Sequence, residues 1–216
     1  MQHSNADSIF QEKTKLSEML VKVVKKFNNS DVSKVATLYE SAFGQKLRVA
    51  IPNADHRRQL FEQSFNSEFC LSAYRGEDLL GIAGLQTPHG ALASDINLSW
   101  IFKTLGIIRG LKALTILALF DRKPKLGQLV MDGIAVDASC RGQGIGTLLL
   151  KGVLQYGLEN GYEQVRLDVI DTNPKAKKLY LRMGFKELGT YRSKFFEKLV
   201  GFSAATTMVY DLKAEA

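Results

Sequence analysis

Glycine occupies every second position from 142 to 146, and this alternation constrains the fold more than any other feature of the sequence. An apolar run at residues 128–136 predicts a buried strand before the glycines, and apolar residues at helical spacing predict a helix from the glycines to residue 160. Alternating glycines leave the backbone amides uncovered by side chains. Because amides at a helix N-terminus carry partial positive charge and Arg141 adds a full charge, the segment predicts a phosphate or diphosphate site.

Two better-known phosphate loops do not fit the same residues. The dinucleotide pattern GxGxxG needs glycine at 147, where this chain has Thr147, and a P-loop needs a GK[ST] sequence. An ordinary tight turn between a strand and a helix would also use these glycines. The triplet alone therefore leaves a phosphate cradle and a plain turn both open.

The rest of the chain alternates strand and helix patterns. Upstream segments predict a strand at 20–27, helices at 32–42 and 54–65, and a hairpin at 69–86. In the second helix, Leu60, Phe61 and Phe65 are predicted on one face and His56, Arg57 and Arg58 on the other. Downstream segments predict a strand at 164–170, a helix that Thr172 or Asn173 caps before Pro174, and strands at 185–191 and 206–212.

The loop and a second block together resemble a known superfamily. Arg141, Gly144 and Gly146 match the pattern Gln/Arg-x-x-Gly-x-Gly/Ala, motif A of the GCN5-related N-acetyltransferase (GNAT) superfamily. The flanking sequence also resembles it, at 133–137 (GIAVD), 148–150 (LLL), 173–180 (NPKAKKLY) and 184–185 (GF). The resemblance covers about residues 129–188. The resemblance implies that the loop is a coenzyme A site rather than a dinucleotide site.

The resemblance implies an α/β fold with the GNAT architecture. This is a mixed, mainly antiparallel sheet of about seven strands with flanking helices, splayed between the strands at about 129–136 and 164–170. Acetyl-CoA would lie in that gap. Residues 1–216 would form a single domain, with an N-terminal extension at 1–19 and a helical insertion at 92–120 between the third and fourth strands.

The resemblance also implies the cofactor contacts. Amides of residues 141–146 and Thr147 would hold the pyrophosphate, and the strand would pair with the pantetheine arm, most directly through Ile134 and Val136. The implied cofactor-binding residues are Ile134, Ala135, Val136, Arg141, Gly142, Gln143, Gly144, Ile145, Gly146, Thr147, Asn173, Ala176 and Tyr180.

Two residues carry the implied chemistry. Tyr180 stands where the family often has a general acid for the leaving thiolate, although it also belongs to an apolar helix stripe and could only pack. Asp132 interrupts an apolar strand and is the candidate base for the acceptor amine. The alternative for Asp132 is a strand-end carboxylate that faces water or binds a lysine.

Residues 92–120 depart from the minimal family pattern. They are strongly apolar, but Lys103, Arg109 and Lys112 interrupt the run, whereas a membrane span needs about 20 residues with few or no charges. The segment therefore predicts two helices. As a hypothesis they form a wall or lid over an apolar acceptor or a longer acyl chain, and a homodimer contact is the equal alternative.

Composition excludes several other classes. The net charge of +7 is scattered without an aromatic-basic platform, so no nucleic-acid partner is predicted. Cys70 and Cys140 are too few and too separated for a disulfide scaffold, and the three histidines have no metal-ligand spacing. Because residues 1–20 are polar and lack the apolar core of a secretory signal, a cytoplasmic protein is expected.

The function that follows is transfer of an acetyl group from acetyl-CoA to an amine of a small molecule or a protein. The acceptor would attack the thioester directly in a ternary complex, and no metal is expected. The alternative is a non-catalytic module that binds or senses acyl-CoA. Family resemblance leaves the acceptor itself open.

Overall fold

The computed structural model describes residues 20–94, 97–118, 123–193 and 201–213. The strands are β1 (Val21–Lys25), β2 (Cys70–Arg75), β3 (Asp78–Thr87), β4 (Gly90–Ala91), β5 (Gln128–Val136), β6 (Gln164–Ile170), β7 (Lys186–Arg192) and β8 (Ala204–Asp211). The helices are α1 (Val32–Leu47), α2 (Ala54–Ser64), α3 (Leu98–Leu105), α4 (Ile107–Ala118), α5 (Ile145–Glu159) and α6 (Pro174–Arg182). The predicted 1–19 extension lies outside the described residues.

The strands form one sheet in the order β1-β2-β3-β5-β6-β8-β7, and the two-residue β4 also pairs with β3. Every pairing is antiparallel except β5 with β6, which run parallel. The predicted mixed, mainly antiparallel sheet is therefore confirmed, with β4 as an addition that the sequence patterns did not indicate. Both middle strands, β5 and β6, begin and end where the sequence predicted.

The sheet opens between its two parallel strands. β5 and β6 are matched from Gln128 and Gln164 as far as Met131 and Leu167, and no later residues of the two strands are paired. The remaining five residues of β5 are therefore not paired with β6. This opening is the splay that the sequence analysis predicted.

A β-bulge in β5 lies at the start of the opening. Gly84 is opposite Gly133 and Leu85 is opposite Met131, so Asp132 has no partner position on β3. Gly133 has a φ of 155°, and a Cβ there would come within 2.3 Å of the Phe43 ring. A larger residue would not fit beside that ring, so glycine permits the bulge.

The bulge reverses which β5 side chains face which layer. Met131 belongs to the core under α5 and α6, and a regular strand would put Ala135 on the same face. Instead Ala135 packs in the core under α1, while Ile134 and Val136 join Met131. One extra residue thus shifts the alternation of the strand by one position.

The two insertion helices pack on the body of the protein. Ile101 and Ile116 are buried against Ile51 and Leu60, which belong to the α1–α2 connection and to α2. The predicted pair of helices is confirmed for α3 and α4; residues 95–96 and 119–120 of the predicted insertion are outside the described residues. No helix in the described ranges is long and apolar enough to span a membrane.

One prediction about α2 is wrong. Arg57 was placed on its exposed face, but the side chain is buried beside Leu60 and Phe61. Its guanidinium binds Glu40 of α1 at 2.5 Å and donates to the carbonyl oxygens of Ile51 at 2.6 Å and Pro52 at 2.9 Å. Burial is tolerated because these partners replace the water that a buried charge loses.

Candidate active site

The glycine loop connects β5 to α5 through a short 3-10 turn, Ala138–Cys140. Asp137 caps this turn, because its Oδ1 accepts from the Ser139 amide at 2.9 Å and from Ser139 Oγ at 2.6 Å. These hydrogen bonds lower the pKa of the Asp137 carboxyl. Gly142 and Gly144 follow with φ of 82° and 81°, and a Cβ at either position would point into open space. The left-handed backbone explains why glycine is needed there.

Five consecutive amides of the loop have no acceptor. The Arg141 amide donates to the Ala138 carbonyl at 3.5 Å and the Thr147 amide to the Gly144 carbonyl at 2.9 Å. Between them, the amides of residues 142–146 have no hydrogen-bond acceptor in the described ranges. The unpaired amides therefore lie at residues 142–146 of the predicted cradle, while the amides of Arg141 and Thr147 donate within the protein.

Side chains hold the loop against the end of β5. Arg141 Nε donates to the Val136 carbonyl at 3.2 Å, and Gln143 Nε2 donates to the Ser139 carbonyl at 3.3 Å. Arg75, from the end of β2, donates from Nη2 to Gln143 Oε1 at 3.0 Å. A second guanidinium thus lies at the loop, in addition to Arg141. The sequence analysis missed Arg75, since 68 residues separate it from Gln143.

The free edge of β5 presents the polar groups of Ile134 and Val136. The Asp137 amide donates to the Leu80 carbonyl at 2.9 Å, which marks a hydrogen-bonded pair between β3 and the residue that follows β5. Hydrogen-bonded and non-hydrogen-bonded pairs alternate in an antiparallel ladder, so Ala135 bonds to β3 while Ile134 and Val136 do not. Their amides and carbonyls therefore point into the opening.

Helix α6 brings the second sequence block beside the first. A Cβ at Gly146, in the first turn of α5, would be 3.8 Å from Leu179 Cδ2 of α6. Asn173 caps α6, as predicted, by accepting from the Ala176 amide at 3.2 Å. The two sequence blocks are therefore neighbours in space.

Tyr180 lies on the buried side of α6. Its ring is tilted against Phe185, with 5.9 Å between centroids, and burial raises the pKa of the phenol to about 12. Its hydroxyl has no hydrogen-bond partner within the part of the chain that the structure describes. The ring packs, as the alternative interpretation expected, and the hydroxyl remains available as a donor.

A cavity of about 920 Å³ opens beside the same gap. Its walls come from α1, α2, the β3–β4 turn, α4, the middle of β5 and the ends of β6, β7 and β8. The lining residues used below are Tyr39, Phe43, Phe61, Leu117, Lys123, Asp132 and Asp168. Of the predicted site residues, Asp132 alone is among the described residues that line it, so the cavity is separate from the glycine loop.

Two carboxylates lie where β5 and β6 separate. Asp132 is half-buried at the bulge. Burial raises the pKa of the Tyr39 phenol, and the charge of Asp132 raises that pKa further. Asp168 is the first residue of β6 beyond the last matched pair; it accepts from Thr207 Oγ1 at 2.5 Å and lies 3.4 Å from Arg166 Nη2. The sequence analysis missed Asp168 because it occupies the polar positions of an alternating strand, which usually face water.

Other predicted features are neutral for chemistry. Burial raises the pKa of the Cys70 thiol to about 12, and Cys140 belongs to the 3-10 turn before the loop. Across the described ranges, His, Cys, Asp and Glu side chains form no group that could hold a metal ion.

A family model described as the acetyltransferase (GNAT) family matches residues 34–185. N-acetyltransferase 8B of Mus musculus is 35% identical over 103 residues, which are 47% of this chain and 43% of the mouse protein. Thialysine N-epsilon-acetyltransferase of Sus scrofa is 40% identical over 60 residues, 28% of this chain and 35% of the pig protein. The chain therefore matches less than half the length of these relatives.

Solved structures agree with the fold. A GCN5-related N-acetyltransferase from Kribbella flavida superposes with a TM-score of 0.56 at 16% identity and covers 88% of this chain and 97% of its own. An N-acetyltransferase from Staphylococcus aureus Mu50 has a TM-score of 0.56 at 17% identity, covering 89% and 99%. At these identities the likeness concerns the fold alone.

Proposed function

The chain belongs to the acetyltransferase (GNAT) family and is an acyltransferase, and we propose that it moves an acetyl group from acetyl-CoA to an amine acceptor by direct attack in a ternary complex. The observation that carries the proposal is the row of five amides at residues 142–146 beside the open edge of β5. That arrangement offers donors for a diphosphate next to a strand edge that can pair with an amide-containing chain. One described sheet contains strands from residue 21 to residue 211, which supports treating the chain as one domain.

In this proposal each part of acetyl-CoA has its own contact surface. The diphosphate accepts from the amides of residues 142–146, and the guanidiniums of Arg141 and Arg75 add positive charge. The pantetheine arm pairs with Ile134 and Val136 as a short extra strand, and Asn173 and Ala176 flank it. An amide of the strand polarises the thioester carbonyl, which stabilises developing negative charge.

Asp132 and Tyr180 carry the proton transfers. An alkylammonium has a pKa of about 10.4, so the acceptor first loses a proton, which Asp132 takes directly or through water. The amine nitrogen then bonds to the carbonyl carbon as the carbon–sulfur bond breaks, and the sulfur keeps the electron pair. Tyr180 donates its proton to that sulfur, the nitrogen releases its second proton to solvent, and the phenolate of Tyr180 takes a proton back from solvent. Because its pKa is about 12, the phenol stays protonated at neutral pH.

The test measures release of free thiol from acetyl-CoA with a panel of amines, peptides and aminoglycosides. We expect amine-dependent release, and Tyr180→Phe should lower kcat by roughly 10²-fold, the loss typical of acid catalysis, without weakening acetyl-CoA binding. Tyr156→Phe is the matched control, because Tyr156 is half-buried on α5 against Lys25. Equal kcat values for the two variants would remove Tyr180 from the mechanism.

Three further predictions rest on composition and resemblance. A cytoplasmic location, the absence of a nucleic-acid partner and a homodimer contact through the insertion stay predictions. Fractionation, a binding assay with DNA and RNA at low salt, and sedimentation would test them in turn.

A further inference from the structure

The cavity beside the β5–β6 opening has a polar inner end. Asp132 and Asp168 are the first residues after the last matched pair of the two parallel strands, and both line the cavity. Two carboxylates on adjacent strands make this end acidic. Arg166, on the same strand as Asp168, donates to its carboxylate at 3.4 Å.

The body of the cavity is apolar and aromatic. The Tyr39 ring packs tilted against Phe43, with 4.6 Å between centroids, and edge-on against Phe61, with 4.9 Å between centroids. Leu114 and Leu117 of α4 also line the cavity. Among the described lining residues, the basic side chains are Lys123 and His89. Lys123 is exposed.

These walls are fixed by buried contacts. Helices α3 and α4 are anchored through Ile101 and Ile116 against Ile51 and Leu60. Arg57 ties α2 to α1 through Glu40, and α1 carries Tyr39 and Phe43. An apolar cavity with a rigid frame and a few charges at one end is the usual form of a small-molecule site, and its volume is within the usual range of about 300 to 1,000 Å³.

We propose that the acceptor is a primary amine on an apolar body, an alkylamine or arylalkylamine, and that Asp168 is a specificity-determining residue that binds its ammonium group. This inference rests on the proposed function and names its substrate class. The body lies among Phe43, Phe61 and Leu117, and the nitrogen lies at the point where β5 and β6 separate. Asp132, at the corresponding position of the neighbouring strand β5, receives the proton there.

The same chemistry disfavours other amines. The second ammonium of a polyamine would lie against Phe61 and Leu117, where an unpaired charge is costly. An amine with an adjacent carboxylate would bring a negative charge to Asp132 and Asp168. A long peptide exceeds the cavity, whereas 2-phenylethylamine and octylamine fit inside it and match its polarity, with one charged end and an apolar body.

The experiment compares kcat/KM for 2-phenylethylamine, octylamine, spermidine and a lysine peptide by thiol release, with calorimetric binding of 2-phenylethylamine in parallel. We expect the two apolar amines to exceed spermidine by about tenfold or more, since apolar burial favours them and spermidine places a second, unpaired charge against the apolar wall. Asp168→Asn should raise KM for 2-phenylethylamine by about tenfold while KM for acetyl-CoA is unchanged. The amide oxygen can still accept from Thr207, and because Arg166 loses its carboxylate partner, the free energy of unfolding in urea is compared with that of the wild type.

Two leucines of α4 give a matched pair. Leu117→Gln, on the cavity wall, should reduce the preference for 2-phenylethylamine over spermidine, whereas Leu111→Gln, 55% exposed on the outer face, should leave it unchanged. A preference for spermidine or the peptide, or equal effects of the two leucine variants, would overturn the inference while the acetyltransferase activity stands. Binding of 2-phenylethylamine that Asp168→Asn weakens, without thiol release from any amine, would instead support the binding site and overturn the proposed function.

Discussion

The glycine loop and the acceptor cavity are adjacent, but they are built differently. The loop is six consecutive residues, and its proposed binding groups are mainly backbone amides. The cavity takes its groups from side chains on α1, α2, α4 and four strands, which are up to 166 residues apart between Tyr39 and Ala205. A loop of this kind depends on local conformation, whereas the cavity depends on tertiary packing. Substitutions should therefore affect the two regions separately.

The largest effect is expected at Arg57, which supports the cavity only. Arg57→Met removes the ion pair to Glu40 and leaves the Ile51 and Pro52 carbonyls without a donor. Breaking a buried pair by removing one partner costs about 3 to 5 kcal/mol, so the free energy of unfolding in urea should fall by about that amount. The protein that remains folded should bind acetyl-CoA with little change.

Arg58→Met is the control for Arg57. Arg58 is exposed on the same helix and pairs with Asp55, an arrangement worth no more than about 1 kcal/mol. A comparable loss of stability in the two variants would mean that the buried network does not support the cavity wall. A large loss of acetyl-CoA affinity in Arg57→Met would mean that the two regions are coupled.

A smaller effect is expected at Gly144, which supports the loop only. Its φ of 81° makes a side chain unfavourable by about 1 to 2 kcal/mol, and the added methyl group would point into the open space beside the free amides. Gly144→Ala should raise KM for acetyl-CoA roughly tenfold, since displacement of one or two amide contacts costs about 1.4 kcal/mol. The KM for the amine should stay the same.

Gly161→Ala separates strain from binding. Gly161 ends the same helix with a φ of 71°, and a Cβ there would also meet nothing within 4 Å. The two variants should lose similar stability, and only Gly144→Ala should change KM for acetyl-CoA. Equal kinetic effects would show that the loop acts through stability alone.

The same contrast explains what could be predicted from the sequence. The bounds of β5 and β6, the cap at Asn173 and the two insertion helices all follow from local patterns, and each is confirmed. The splay was expected from the resemblance to the family. These features are fixed by residues that are close together in the chain.

The features that were missed depend on distant partners. Arg57 looked like a surface residue because its partner Glu40 is 17 positions away. Asp168 looked like the solvent side of a strand because nothing in the sequence indicates that this side faces a cavity. The bulge at Asp132 had one local signal, Gly133 within an apolar strand, but its position depends on the contact with Phe43.

The smallest effect is expected at Asp137, which follows β5 and caps the 3-10 turn before the glycine loop. Its carboxylate accepts twice from Ser139 and so holds the 3-10 turn that leads into the glycine loop. Because loss of a single cap has a small effect, Asp137→Ala should raise KM for acetyl-CoA by no more than about fivefold. The effect should also depend on pH, because the hydrogen bonds from Ser139 lower the pKa of this carboxyl.

The direction of that dependence follows from the lowered pKa. The contribution of the cap is fully present above the ordinary carboxyl pKa of about 4 and is lost as the pH falls through the lowered value. Acetyl-CoA binding by the wild type and by Asp137→Ala should therefore differ by a constant factor from pH 6 to pH 8 and converge only in strong acid. Titration calorimetry across this range measures the factor. A difference that changes between pH 6 and pH 8 would assign the pH dependence to a group other than Asp137, and the loop would then depend on more than its local hydrogen bonds.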